Sequence, residues 1–167
     1  MKVLGIDPGT RIVGYAVVDQ EMGQFHTYTY GAVVTQPHTL LSQRLKAIYE
    51  TLTKIMVDFQ PQAVAIEKIF YGKNLQTAIR TGEGRGVALL AAAMFQLPVY
   101  EYDATKIKKS VAGVGSAHKT QVQAMVQAIL QLPQVPNPLD ASDALAIAIC
   151  HLQHFQPNIS EAGGILI

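Results

Sequence analysis

Four carboxylates stand where a folded chain could hold them rigidly. Asp7 closes the apolar run that begins at Val3 and leads straight into Pro-Gly, while Glu67 closes "AVAIE" in the same way. Asp140 and Asp143 sit together in "NPLDASDALAIAIC", three residues apart and therefore on one face of a helix. Four hard oxygen donors suit Mg²⁺ or Mn²⁺, whereas zinc favours nitrogen and sulfur. Two such ions about 3.5–4 Å apart activate a water and stabilise the leaving oxygen of a phosphodiester. Each residue also has a plainer reading. Asp-Pro-Gly-Thr is good turn chemistry, and Glu67 can simply emerge into solvent where its strand ends. Asp140 suits the dipole of a helix capped by Asn137 with Pro138 in its first position. Asp143 lies deeper, just before an apolar run, and capping explains it less well.

Other chemistries find little support. No G-x-S-x-G occurs, Cys150 reads as a core residue in an apolar helical run, and the five histidines lack H-E-x-x-H spacing. "GVGSAHKT" approaches a phosphate-binding loop but has His118 where its second glycine belongs, which argues against a nucleotide. Ser116 is expected to cap the helix that follows, which places Lys119 in the first turn. A cation there opposes the helix dipole unless an anion such as a DNA phosphate accompanies it. The net charge is only +1, yet eight basic residues between Lys68 and Lys119 face three acidic ones. That sector suits a polyanion, with a solvated lysine-rich face as the alternative.

These residues need a scaffold. The 167 residues, 49% of them hydrophobic, suffice for one domain with a real core. Neither a secretory signal nor a membrane-length apolar run is legible, so a cytoplasmic protein is expected. Residues 3–7, 12–19 and 25–34 read as strands, 39–59 as an amphipathic helix, and 63–67 as a buried strand. A helix over 74–96, a strand over 98–102 and helices near 117–131 and 138–154 complete the pattern. Three strands followed by alternating helix and strand predict an α/β fold, a mixed sheet flanked by helices. Asp7 and Glu67 converge if their strands are parallel neighbours.

The order "GIDPGTRIVGYAV", "AIEKIFYGKN", "GRGVALLAA", "VGSAHKTQVQ" and "DASDALAIAICH" resembles the RuvC family of bacterial Holliday-junction resolvases, from the first strand to about His151. The resemblance implies an RNase H-like fold over residues 1–155, with 156–167 a tail of no assigned role. It implies a homodimer that nicks two opposing strands of a four-way DNA junction symmetrically, with some sequence preference, and that cooperates with a branch-migration motor. Asp7, Glu67, Asp140 and Asp143 match the family's acidic quartet, holding two Mg²⁺ ions for which Mn²⁺ can substitute. Phe70 matches an aromatic that opens the junction, and Lys108 and Lys119 match lysines close to the scissile phosphate. Lys73 and Arg80, from the basic sector, are further expected to touch DNA. The small side chains of Gly82, Gly84, Gly86, Ala88 and Ala91–Ala93 allow close approach of the molecule's own sheet or of a dimer partner. An RNase H-like enzyme acting on structured RNA is the near competitor. An actin-like sugar kinase needs two such domains, and a non-catalytic junction binder would have lost some of the carboxylates.

Overall fold

The computed structural model describes residues 1–69 and 75–155. Strands β1 (Lys2–Asp7), β2 (Ile12–Glu21) and β3 (Gln24–Val34) form an antiparallel meander, followed by helix α1 (Leu41–Phe59) and strand β4 (Ala63–Glu67). Helix α2 (Leu75–Met94), strand β5 (Val99–Tyr102) and helices α3 (Ala104–Ala112), α4 (Lys119–Ile129) and α5 (Leu139–His154) complete the chain. The five strands lie in the order β3-β2-β1-β4-β5, with β4 parallel to both β1 and β5. The turn between β2 and β3 needs left-handed backbone at both central positions, and Met22 (φ 49°) and Gly23 (φ 81°) supply it.

Each face of the sheet carries its own core. Leu4, Ile6, Val17 and Ile66 pack under α1 and α2, with Ile48, Leu52 and Met56 of α1 fully or almost fully buried. On the other face Val3, Ala16, Val18 and Ala65 pack under α3, α4 and α5. Helix α5 is enclosed on nearly all sides, so its sequence is apolar all round rather than amphipathic. Its Leu145, Ile147 and Ile149 are 0% exposed, and burying each stabilises the fold by about 1.5–3 kcal/mol. The helix that first presents Asp140 and Asp143 is thus among the most firmly anchored parts of the molecule.

The mixed sheet flanked by helices is present as expected, and the differences are local. Helix α3 was not legible: "ATKIKKSVA" carries three lysines and only Ile107 and Val111 to bury, and those two pack beneath it. Ser116 does not cap α4, since His118 takes that position without a side-chain hydrogen bond. At α5 the capping position belongs to Pro138 rather than Asn137, which puts Asp140 in the first turn all the same. The small face of α2 turns inward, with Gly84, Ala88, Ala91 and Ala92 buried. Its opposite side exposes Leu75, Ile79, Leu90 and Met94. Among the described residues no helix is long and apolar enough to cross a membrane.

Candidate active site

Parallel pairing of β1 with β4 settles how Asp7 and Glu67 meet. Ile6 lies opposite Ile66, so the next residue of each strand leaves the sheet at the same level. Asp7 is also paired with Gly14 on β2, and Gly14 is where the first turn of α5 touches the sheet. A methyl group on Gly14 would run into the carbonyl oxygen of Asp140. The absent side chain therefore lets the helix approach closely enough to bring Asp140 and Asp143 beside Asp7. Gly84 plays the same part on the other side, where a methyl group would strike the carbonyl oxygen of Gly9 in the turn after Asp7.

The electrostatics show that the four carboxylates share one site. The Asp7 carboxyl is pushed up from 3.8 to about 8, first by burial and then by Asp143, Glu67 and Asp140, with Lys119 opposing. Glu67 is raised by burial and then by Asp143, against Lys119 and Lys108. Asp143 is raised chiefly by burial and lowered by Lys119, whose Nζ donates to its Oδ2 at 3.4 Å. Such groups titrate as a set rather than singly. Lys108 and Lys119 line one cleft of about 190 Å³ together with Glu67 and Asp143. Arg80 stands elsewhere, beside Thr10 at the start of α2. Phe70 and Lys73 lie outside the described residues.

The basic sector is smaller than its sequence suggests. Arg85 pairs with Glu101, Lys68 with Asp103 at 3.7 Å, and Lys119 with Asp143. Lys106 sits 5.1 Å from the centre of the Tyr102 ring. Among the histidines, His151 is a core residue, 0% exposed, with Nδ1 2.8 Å from the Tyr102 hydroxyl. Cys150 is likewise buried. Sequence reasoning missed Gly14, and it missed Arg44, which is hydrogen-bonded to Thr10 just after the Asp7 turn. A signal for Arg44 existed: with Ile48, Leu52 and Ile55 it occupies the buried stripe of α1.

The donor set fits a hard divalent ion in chemistry, all oxygen, and in charge, because a cation would offset both the burial and the neighbouring carboxylates that raise Asp7. It is not a ready-made cage. Among the described residues no three acidic, histidine or cysteine side chains are grouped closely enough to hold an ion as they stand.

A mixed sheet in this order, with carboxylates at the ends of adjacent parallel strands and on the helix crossing them, is the RNase H-like class of α/β protein. The family model described as crossover junction endodeoxyribonuclease RuvC matches residues 3–151, and the chain belongs to that family. RuvC of Syntrophomonas wolfei is 47% identical over 156 residues, covering 93% of this chain and 91% of that protein. RuvC of Ruminiclostridium cellulolyticum is 48% identical over 151 residues, covering 90% and 91%. Among solved structures, Thermus thermophilus RuvC in complex with Holliday junction substrate superposes with a TM-score of 0.86 at 35% identity, over 90% of this chain and 92% of that one. The yeast mitochondrial Holliday junction resolvase, at 11% identity and a TM-score of 0.61, shares the fold.

Proposed function

We propose that this protein resolves four-way DNA junctions by paired, symmetric hydrolytic nicks, serving recombination and repair. The observation that carries the reading is the convergence of Asp7, Glu67, Asp140 and Asp143 beside Lys108 and Lys119, in a chain that belongs to the RuvC family. Mg²⁺ is the proposed ion, two per site, with Mn²⁺ able to substitute. Bound ions would supply a water made nucleophilic near neutral pH and charge stabilisation for the departing oxygen.

The chain's own residues do the rest. Asp7 and Glu67, fixed at the ends of hydrogen-bonded strands, set the floor against which a scissile phosphate is placed. Asp140 and Asp143 close the site from the firmly buried α5. Lys119 exchanges one anion for another: paired with Asp143 now, it is positioned to turn to a phosphate oxygen when Asp143 becomes a ligand. Lys108, across the cleft, adds a second positive charge. Phe70, three residues beyond Glu67, is the residue we assign to hold a base step at the crossover unstacked.

Symmetric nicking calls for two sites, hence a homodimer. The exposed side of α2, with Leu75 68%, Ile79 54%, Leu90 56% and Met94 66% exposed, supports an apolar contact with a second copy. A partnership with a branch-migration motor and a cytoplasmic location belong to the same reading. The decisive experiment offers the protein a mobile four-way DNA junction, a linear duplex and an RNA hairpin, each with and without Mg²⁺. Paired nicks confined to the junction and dependent on the ion are expected. Cutting of the RNA alone would instead make this a structured-RNA nuclease.

A further inference from the structure

A second cavity, of about 290 Å³, opens beside the turn that follows Asp7. Thr10, Leu41, Arg44, Gln76, Arg80 and Glu83 line it. Arg44 is only 8% exposed. Its Nε donates to the Thr10 carbonyl and to the Thr35 hydroxyl, each at 3.0 Å, and its Nη2 donates to the Thr10 hydroxyl at 3.1 Å. All three acceptors are neutral. The ion pairs among the described residues involve Lys46, Lys54, Lys68, Arg85 and Lys119, and none involves Arg44. Those acceptors satisfy its hydrogen bonds without balancing its charge, so an anion beside it would be favoured. Its bonds within the described residues run through Nε and Nη2, which leaves Nη1 without a described partner.

Independent features favour the same kind of ligand. Both α1 and α2 begin at this cavity, through Leu41 and Gln76, and neither has an acidic residue in its first turn. Helix α1 also lacks a side-chain cap, so its first N–H groups carry partial positive charge uncompensated. Arg80, exposed and one turn beyond Gln76, adds a second guanidinium. Glu83 is the single acidic group among the described residues of the lining. Its Oε2 is buried without a hydrogen-bond partner, and no ion pair joins it to either arginine. Two cations and two helix N-termini therefore outweigh one carboxylate, and Arg80 forked between Glu83 and a bound anion would satisfy that orphaned oxygen.

We infer that this cavity is a phosphate seat for the nucleic-acid backbone, taking a phosphodiester other than the scissile one between Arg44 and Arg80. The inference rests on the junction-resolving reading and deepens it. Because Arg44 also holds Thr10, three residues beyond Asp7, the seat and the catalytic turn are a single hydrogen-bonded unit. A strand gripped there is registered directly against the carboxylates.

Junctions carrying a single neutral methylphosphonate, placed in turn at each phosphate near the crossover, test this without divalent ions so that nothing is cut. At one position, neutralisation should weaken wild-type binding by roughly tenfold. Arg80→Ala, a change on the surface, should bind the unmodified junction more weakly and lose its sensitivity at that same position. Its salt slope should fall by about 0.9, one phosphate contact. Arg44→Lys, which keeps the charge but not the fork, should blunt the same position; should it fail to fold, Arg80→Ala decides. If wild type does not bind the unmodified junction, the nuclease reading falls and the seat with it. If wild type binds but no neutralised phosphate loses its effect in either variant, the seat is wrong and Arg44 is only a strut for the turn.

Discussion

At the residue scale, the carboxylate cluster stores an electrostatic conflict. Asp7 is held protonated to about pH 8 by burial and by three neighbouring carboxylates. Replacing it with a neutral isostere removes the conflict, so Asp7→Asn should abolish cleavage yet raise stability without divalent ions. At pH 8 the gain is expected to be on the order of 2 kcal/mol, below the full value of the shift because the side chain is partly solvated, as urea unfolding would show. Asp143→Asn should cut cleavage by more than roughly 100-fold while preserving junction binding. The variant also releases Lys119 from its carboxylate, so binding at low salt should tighten; cleavage near the wild-type rate would remove Asp143 from the site. Asp7 and Glu67 were legible because each ends an apolar run, and Asp140 and Asp143 because they stand three apart on one helix face just before another. Gly14 and Arg44 were not, because what makes them matter is a carbonyl 126 residues away in one case, by subtracting 14 from 140, and a turn 34 residues away in the other.

At the element scale, position follows from close approach. Helix α5 reaches the carboxyl end of β1 only because Gly14 leaves room for the Asp140 backbone. Gly14→Ala should therefore displace the first turn of α5, reduce stability by about 1–3 kcal/mol and slow cleavage more than it weakens junction binding. Gly82→Ala is the control. Among the described residues an added methyl there would meet only Ile69 Cδ1 at 3.8 Å, an ordinary contact, and should stabilise α2 by about 0.5–1 kcal/mol. Equal effects of the two substitutions on cleavage would separate Gly14 from the site. The strands and the long helices were legible from period and punctuation. Helix α3 escaped because two buried residues in nine give a short helix almost no periodic signal. The cap positions shifted because Ser116 and Asn137, both good capping residues, are outvoted by where the α4 and α5 backbones must enter to bury their apolar faces.

At the scale of the whole molecule, two buried titrations lean in opposite directions. His151 sits in the core against Tyr100, Tyr102 and Phe155, and burial lowers its pKa to about 4 from 6.5. Between those values the unfolded chain binds a proton that the folded one refuses, so His151 contributes stability that is full above pH 6.5 and lost as the pH falls toward 4, about 3 kcal/mol in all. Asp7 acts conversely: its folded pKa is raised, so stability is full near pH 4 and declines as the pH rises through 8. Between about pH 4 and 6.5 the two slopes oppose and nearly cancel, so without divalent ions the wild type masks its acid limb and weakens along an alkaline one, as the pH rises from 6.5 toward 8. Urea midpoints at pH 4.5, 6.5 and 8.5, followed by circular dichroism, measure both limbs. Asp7→Asn should flatten the alkaline limb and uncover the acid limb, a loss of stability from pH 6.5 to 4.5, and Mg²⁺ should flatten the alkaline limb of the wild type by favouring the charged carboxylates. An alkaline limb that survives Asp7→Asn at full height would place the conflict on a group other than Asp7. An acid limb absent from the Asp7→Asn protein would mean that His151 accepts its proton within the fold.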